Sequence, residues 1–580
     1  MVEAEIEVDT ATALQAISSL TDAYDEMEIS KRRYVLYVLL PAAGFFVLSL
    51  GGLALPLPVF VRAPVPLLGV LVFGAAVAYP KIYINSRRTA IENQLHLVMT
   101  HMTVLSTTNI DRMEVFRTLA DEEEYGVAAE EIGRVVHLVD TWNQSLDEAC
   151  RRRAKEVPSP ALSDFFDRLG YTLGAGQELD EFLLSEQTVV IDNYVTVYES
   201  ALGNLDVMKD LYMSMILSMT FALVFAVVLP ILTGTDPTTT VAAVIVLFTF
   251  VQVGFYLAIR ELAPHDPVWF YPDRRTPSDR KLYTAFGVSI ALTALLFAVV
   301  AAGIFGVGPG LPGLLFFLPS VPLALYLAVP VTPLAIAGVA VRSEEQLIGA
   351  RDREFPNFIR ALGATETAKQ STTSAVLESL RKKDFGALTA DIQRLYRRLN
   401  IRIDPSEAWH SFAVDTRSYL IQKFSEMYLE GRRMGGEPKQ LGELISENMN
   451  TVLQLRQQRT QATITLIGLL YGITAASSFA FFIGLQVVSI LADLSEQLSL
   501  SQEGFDFGQI IYAGVYDIPL IEFLLLLVIL FNALLSSVMI RTIDGGNKTN
   551  AYLHFVALTW LGCLTAIFTQ TLVAGILSVN

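Results

Sequence analysis

The sequence predicts an all-α polytopic membrane protein with about nine transmembrane helices and two duplicated cytoplasmic helical-bundle domains. Of its 580 residues, 52% are hydrophobic and only 17% are charged. The mean hydropathy of +0.45 lies well above that of soluble globular proteins. The polar residues are gathered mainly into two long segments, 83–208 and 342–461, which resemble each other. Cys150 and Cys563 are the only cysteines, so a disulfide framework is excluded.

Nine apolar stretches are long enough to cross a bilayer, which takes about 20 helical residues. They lie near 34–55, 65–82, 211–233, 240–259, 282–306, 313–341, 462–490, 519–540 and 553–578. The first follows an acidic segment and is too long for the apolar part of a cleaved signal peptide. The sixth contains Pro319, Pro322, Pro330 and Pro333. Because proline interrupts helical hydrogen bonding, we expect this span to be kinked or broken.

The basic residues predict the orientation of the chain in the membrane. With a cytoplasmic N-terminus, the outer loops contain a single basic residue, Arg62, and the other 41 of the 42 lie on the inner side. Cytoplasmic loops are enriched in Lys and Arg. We therefore predict a multi-pass protein of the cell membrane, with its N-terminus in the cytoplasm and its C-terminus outside.

These observations predict eight successive regions. They are an acidic cytoplasmic N-terminal segment (1–33), transmembrane helices 1–2 (34–82), a first cytoplasmic helical domain (83–208), transmembrane helices 3–4 (211–259), a basic cytoplasmic loop (260–281), transmembrane helices 5–6 (282–341), a second, basic cytoplasmic helical domain (342–461) and transmembrane helices 7–9 (462–578). The order of two spans, a domain and two spans occurs twice, so both domains face the same side.

The two soluble segments match each other at an offset of 260 residues. Tyr125-Gly126 corresponds to Phe385-Gly386, and the same helical stripe recurs after each pair. The stripes are Ile132, Val135, Val136 and Val139 in the first copy, and Ile392, Leu395, Tyr396 and Leu399 in the second. Shortly afterwards, Ser145-x-x-Glu148 and Asp404-x-x-Glu407 have the pattern of a helix-capping box. The agreement of several features predicts an internal duplication.

No catalytic constellation is found in the sequence, so we expect no enzyme, cofactor or metal site. The chain lacks both the phosphate-binding G-x-x-x-x-G-K-[ST] loop and the zinc-binding H-E-x-x-H motif. The spans are almost free of ionisable residues, which mark ion and proton pathways; Glu522 lies near the outer end of its span. We expect Gln252, Asn532 and Gln570 to form interhelical hydrogen bonds. The net charge of -17 argues against nucleic-acid binding.

Charge distinguishes the two soluble domains. Segment 83–208 has 22 acidic and 10 basic residues, whereas segment 342–461 has 16 acidic and 19 basic residues. One interpretation is a solvated basic face that follows the positive-inside bias; the other is a docking surface for an acidic cytoplasmic partner. The candidate contact residues are Lys382, Lys383, Arg394, Arg397, Arg398, Arg432 and Arg433.

The paired domains resemble the type II secretion system F-domain family, the inner-membrane platform proteins of type IV pili, type II secretion and archaeal surface filaments. The stretch from Gly435-Gly436-Glu437-Pro438 to Leu441 and Glu443 is similar to the most recognisable stretch of that family; the first copy, Gly174 to Glu181, lacks the proline. Nine spans, an N-terminal extension and a lysine-poor, acidic composition typical of a salt-adapted (halophilic) archaeon resemble the archaellum platform type (FlaJ/ArlJ).

The resemblance implies that the protein is a non-enzymatic component of a filament-assembly complex. A cytoplasmic hexameric secretion-type ATPase would dock on the basic second domain, and its motions would pass through the helical bundles into the spans. The spans would help to lift pilin-like or archaellin subunits out of the bilayer into a filament and, in an archaellum, would anchor its rotation. A filament base also implies a homo-oligomer, a dimer or higher.

Two alternatives remain open from the sequence. The protein could be an adhesion-pilus assembly platform of the same family, which neighbouring genes would distinguish. It could also be a transporter with regulatory cytoplasmic domains, whose binding site would lie at the broken sixth span. The sequence assigns no role to the acidic outer loop 491–518.

Overall fold

Long helices dominate the computed structural model of this chain. The structure describes residues 31–51, 64–108, 110–272, 276–307, 310–315, 321–370, 373–501 and 517–577. Most of the predicted N-terminal segment, Arg62, Arg274, Arg275, Pro319 and most of the outer loop 491–518 lie outside these residues. By its contacts the chain divides into two compact units, Met1–Tyr194 and Val195–Asn580.

The first unit holds the first soluble domain and the helices that precede it. In chain order its helices are α1 (Arg32–Gly51), α2 (Pro64–Ser106), α3 (Arg112–Ala120), α4 (Val127–Trp142), α5 (Leu146–Ala154), α6 (Pro160–Gly174) and α7 (Leu179–Val228), the last of which continues past Tyr194. The domain is packed around buried aromatic rings: Phe116, Tyr125, Phe165, Phe166 and Phe182. Tyr34 Oη in α1 donates a 2.7 Å hydrogen bond to Ala76 O in α2.

The second unit begins within α7 and contains the second soluble domain and further membrane helices. Its helices are α8 (Pro237–Leu262), α9 (Pro277–Ile304), α10 (Leu323–Val331), α11 (Leu334–Lys369), α12 (Thr373–Leu380), α13 (Thr389–Asn400), α14 (Pro405–Thr416), α15 (Tyr419–Arg433), α16 (Pro438–Ser501), α17 (Ile518–Asp544) and α18 (Ala551–Leu577). The core of its soluble domain is again aromatic, with buried Phe355, Phe358, Trp409, Phe412 and Tyr428.

The two soluble domains have the same order of elements. In each, a long helix is followed by a short helix, a 3₁₀ turn, three helices and a second long helix that continues into a predicted span. Gly126 and Gly386 both have positive φ, +48° and +52°. The paired stripes agree as well, since the first two residues of each stripe are buried and the last two are partly buried. This structural agreement is compatible with the predicted duplication.

One local prediction is wrong. Ser145 precedes α5 as expected, but its side chain makes no capping hydrogen bond, because its hydroxyl is bonded to the Asp147 carboxylate instead. Asp404 does cap α14, accepting a 2.9 Å hydrogen bond from Ser406 N. A complete capping box occurs elsewhere, between Thr276 and Asp279 at the start of α9.

The described residues contain seven helices that are long and apolar enough to cross a membrane, or eight if a bent pair counts as one span. The bent pair is α10 and α11, which meet at an angle of 42° beside Pro333. This break confirms the prediction for the sixth span. The predicted second span, 65–82, lies in α2, which is not among the seven, so nine spans stay a prediction.

Each soluble domain passes into the membrane region without a break in its last helix. The predicted boundaries near 208–211 and 461–462 fall inside α7 and α16, which have 50 and 64 residues. At the far end of the second domain, α11 and the start of α16 touch backbone to backbone: a Cβ on Gly363 would lie only 2.1 Å from Pro438 O.

Candidate docking surface and its junction with the membrane helices

The structure divides the seven predicted docking residues into two groups. Lys382, Lys383, Arg397 and Arg433 are exposed to solvent. Within the described residues, Lys382, Lys383 and Arg397 make no ion pair, and Arg433 makes a long hydrogen bond of 3.5 Å to Ser406 Oγ. These four cations are available to a partner, and we call them, with the residues around them, the basic surface.

The other three predicted residues are held by carboxylates of the same domain. Arg394 pairs with Asp391 and, at 2.9 Å, with Asp415. Arg398 lies 2.8 Å from the same Asp415 carboxylate. Arg432 binds Glu366 at 3.0 Å and donates to Gly436 O at 2.8 Å. Much of their charge is neutralised locally, so their first role is to hold helices together.

A buried carboxylate occupies the same position in both soluble domains. Asp391 and Glu131, 260 residues apart, are both almost fully buried, and each pairs with the arginine three residues later. Each also pairs with an arginine from another helix: Arg351 at 3.1 Å in the second domain and Arg153 at 2.6 Å in the first. Burial raises the pKa of Asp391. This repeated ion cluster fastens α13 and α4 within their own domains.

The sequence prediction missed Arg381. This residue follows the last residue of α12, and its guanidinium lies over the Tyr396 ring, 4.6 Å from the ring centroid. Arg381, Lys382 and Arg397 together line an open cavity of about 370 Å³. The part of the basic surface around Arg381, Lys382 and Arg397 is therefore concave.

A second site lies where the loop between α8 and α9 meets the second soluble domain. At its centre is Arg456 of α16, which binds both oxygens of Asp266, at 2.6 and 2.7 Å. The same guanidinium binds Asp352 of α11 at 3.0 Å and Pro267 O at 2.9 Å. One largely buried arginine thus joins three segments that are far apart in sequence.

The same loop pairs with the turn between α14 and α15 like a short stretch of β-sheet. Trp269 and Ser418 form an antiparallel bridge, in which Phe270 N donates to Arg417 O at 2.9 Å and Tyr419 N donates to Val268 O at 3.1 Å. Ser418 Oγ also donates to Asp352. Arg417 binds Asp279 and lies 5.3 Å from the Trp269 ring centroid. We call the ion pairs and hydrogen bonds that join residues 266–270 and Asp279 to Asp352, Arg417, Ser418 and Arg456 the loop junction.

Burial and ion pairing act in opposite directions on the pKa values of the groups at the loop junction. Asp352 is fully buried, and loss of hydration raises its pKa to about 6, although Arg456 and Ser418 act in the opposite direction. Conversely, the two carboxylates that surround Arg456 outweigh its burial and raise its pKa. The arginine therefore keeps its charge at any physiological pH, whereas Asp352 can take up a proton in mildly acidic conditions.

A further carboxylate links the loop to the connection between α17 and α18. Glu345 accepts hydrogen bonds from Trp269 Nε1 at 3.0 Å, Asn547 N at 2.5 Å and Asn550 Nδ2 at 2.9 Å. A Cβ on Gly546 would lie 2.3 Å from its carboxylate, so this tight approach requires glycine. The ends of several predicted membrane helices thus converge on the second soluble domain.

Polar residues in the membrane region pair with one another. Gln252 Nε2 donates to Asn532 Oδ1 at 2.6 Å, and Asn532 Nδ2 donates to Thr474 Oγ1 at 3.2 Å. Gln570 Nε2 donates to Glu522 at 2.9 Å. These contacts confirm the predicted interhelical hydrogen bonds, and they join α8, α16, α17 and α18 within the second unit.

Comparison with known proteins decides the family. The type II secretion system (T2SS) protein F domain matches the chain twice, at residues 98–229 and 358–486. Flagella accessory protein J of Methanocaldococcus jannaschii is 34% identical over 565 residues, which cover 96% of this chain and 98% of that protein. Flagella accessory protein J of Methanococcus voltae is 33% identical over 561 residues, with coverage of 96% and 99%. The chain belongs to the archaellum membrane platform family.

Family membership confirms the resemblance drawn from the sequence. The two domain matches begin 260 residues apart, which is the offset of the internal repeat. In this archaellum platform chain they include most of both soluble domains and the first membrane helix after each. The family names point to a structural membrane platform rather than an enzyme. No solved structure matches the chain.

The sequence of this platform chain predicts a basic docking surface, which stays a prediction, and gives no prediction of the loop junction. The segment 260–281 is predicted as a basic loop, whereas two of its four acidic residues, Asp266 and Asp279, make the ion pairs with the second domain. These two acids between two apolar spans were a visible signal. Their partners, Arg456 and Arg417, were not predictable because they lie 190 and 138 residues away.

Proposed function

We propose that this protein is the membrane platform that couples a cytoplasmic hexameric ATPase to the assembly and rotation of an archaellum. The observation that carries the proposal is the loop junction, which ties the basic second domain to the inner loop between two membrane helices. A domain that binds the ATPase through its basic surface and is attached elsewhere to the loop between two spans can transmit motion of the ATPase to those spans.

The route from docking to membrane uses two connections. One is α16, which is continuous from Pro438 to Ser501 and therefore runs from the soluble domain into a predicted span. The other is the loop junction, through which α8 and α9 follow the domain by way of Asp266 and Asp279. The pilin-like or archaellin subunits would be moved by the spans, with the N-terminus of the platform in the cytoplasm and its C-terminus outside.

Recruitment of the ATPase provides the test. Full-length protein in lipid nanodiscs should retain the secretion-type ATPase of its own organism in a pull-down. The variant K382E/K383E/R397E/R433E, which reverses the exposed cations only, should lose this binding and still insert into membranes. Unchanged binding would refute docking on the basic surface.

Several parts of the proposal go beyond the family assignment. A filament base is expected to contain two or more copies of the platform. The low lysine content and the acidic balance support a salt-adapted source. An adhesion pilus in place of an archaellum is the alternative within the same family, and archaellin and motor genes beside the coding gene would favour the archaellum.

A further inference from the structure

A small cationic cavity at the ends of two helices stands out on the second soluble domain. Its lining residues are Arg381, Lys382, Gln393, Tyr396 and Arg397, and its volume is about 370 Å³. Arg381 and Lys382 directly follow α12, and Arg397 lies in the last turn of α13. We call it the α12–α13 pocket.

The pocket carries charge that the protein itself leaves unbalanced. Its lining contains three cations and no carboxylate. In the part of the chain that the structure describes, none of the three takes part in an ion pair. On the same helix, by contrast, Arg394 and Arg398 are both held by Asp415. In a chain with a net charge of -17, such a site attracts anions that the rest of the surface repels.

The position of the cations explains how the cluster is tolerated without a bound anion. Helix C-termini carry partial negative charge, which stabilises basic residues in or just after the last turn. Arg381 also stacks on the Tyr396 ring, and this cation–π contact holds its guanidinium in place. The helix ends therefore favour all three cations, and the Tyr396 ring in addition fixes the side chain of Arg381.

The donors in the pocket favour carboxylates of a protein over a free phosphate. Compact phosphate sites commonly use backbone N–H groups at a helix N-terminus. None of the five lining residues lies in the first turn of a helix, so binding relies on side chains alone. Separate cations around an open cavity suit several carboxylates arranged along a peptide.

We propose that the α12–α13 pocket is the anchor point for an acidic segment of the cytoplasmic partner, with Arg381, Lys382 and Arg397 binding its carboxylates. This inference rests on the proposed docking function. It assigns the main partner contact to one pocket instead of the whole basic surface. Arg394, Arg398 and Arg432 are then structural, and Lys383 and Arg433 are peripheral.

Peptide binding to the full-length protein in nanodiscs tests the pocket. A fluorescent Asp/Glu-rich peptide should bind the wild type, and R381E/K382E/R397E should weaken binding by about tenfold or more. The matched control K383E/R433E, which reverses exposed cations outside the pocket, should weaken it by less than about threefold. The neutral variant R381Q/K382Q/R397Q gives the same comparison without new charges. Equal losses in pocket and control variants would overturn the proposal.

Two further measurements separate the alternatives. Pyrophosphate should displace the peptide only weakly; tighter binding of pyrophosphate than of the peptide would instead make this a phosphate site and overturn the proposal. In the ATPase pull-down, loss with the pocket variant alone supports the anchor. ATPase binding that survives the pocket variant overturns the anchor but leaves the platform function intact. A wild type that recruits no ATPase refutes the proposed function itself.

Discussion

Gly126 shows how one backbone angle can specify a turn in each copy of the soluble domain. Its φ of +48° and ψ of -118° lie in a region that residues with a Cβ avoid, and Gly386 also has positive φ. A Cβ built on Gly126 would have no atom within 4 Å. Any cost of substitution at this position therefore comes from the backbone rather than from crowding.

We expect Gly126→Ala to destabilise the first domain by about 1–2 kcal/mol. Gly133→Ala in α4 is the matched control, because its new methyl group would make an ordinary 3.6 Å contact with Ala120. Since alanine favours helix over glycine, the control should stabilise the domain by up to about 1 kcal/mol. Apparent unfolding temperatures of the purified variants would show the opposite signs; two shifts of the same sign would contradict this account.

Asp352 gives the loop junction a dependence on pH. Its pKa rises from 3.8 to about 6 because it is buried, so the folded protein holds this proton more tightly than the unfolded chain does. Its contribution to stability is therefore complete below pH 3.8 and is lost as the pH rises through about 6. Asp352→Asn cannot titrate and removes this dependence.

The measurement is the unfolding midpoint of wild type and Asp352→Asn between pH 4 and 7. Other acidic groups titrate in both proteins, so the difference between the midpoints isolates Asp352. We expect the wild type to lose stability relative to the variant as the pH increases over this interval. A difference that is independent of pH would contradict the shifted pKa.

Residue chemistry was only partly predictable from the sequence. The glycine turns and the buried stripes follow from local pattern, and the structure places them as expected. The basic residues were recognised by type, but which of them are free depends on folded neighbours. For Arg394 a clue was present, since Asp391 lies one helical turn earlier. For Arg432 the partner Glu366 lies 66 residues away, and nothing local indicates the pair.

At the scale of elements, the loop junction turns a connection between two spans into part of the soluble domain. Removing one carboxylate should weaken it selectively. We expect Asp266→Asn to cost about 1–3 kcal/mol, because the largely buried Arg456 keeps only Asp352 as an ion-pair partner. The basic surface is untouched by this change. ATPase recruitment should therefore persist while filament assembly falls.

The control for this variant is Asp206→Asn, which removes an exposed ion pair with Lys209 on α7. Exposed pairs contribute little, so the control should change stability by less than about 0.5 kcal/mol and leave filaments normal. Unfolding temperature, ATPase pull-down and filament counts would be compared for both variants. Normal filament numbers in cells with Asp266→Asn would show that the loop junction does not transmit motion from the soluble domain to the spans.

Helices and spans were the most predictable elements because their signals are local. A long apolar stretch can be recognised in the sequence without knowledge of the fold. The same is true of apolar residues that recur every three to four positions. The boundaries between domain and membrane were less predictable. Neither α7 nor α16 is interrupted there, since a helix needs no breaker where its surroundings change from water to lipid.

At the scale of the whole molecule, the asymmetry of basic residues predicts which loops face the cytoplasm. Cysteine labelling can test this, because native Cys150 and Cys563 are both buried. Thr235→Cys, in a predicted outer loop, should react with a membrane-impermeant maleimide in intact cells. Lys548→Cys, in a predicted inner loop, should react only after lysis. The reverse pattern would invert the proposed orientation.

The most direct measurement is deletion of the gene, followed by electron microscopy of the cells and a swimming assay. The platform account predicts loss of archaella and of swimming, with adhesion pili unaffected, and recovery on complementation with the wild-type gene. The Asp266→Asn gene should restore the protein in the membrane but not normal numbers of filaments. Cells that lack the gene and still swim with normal archaella would contradict the central claim.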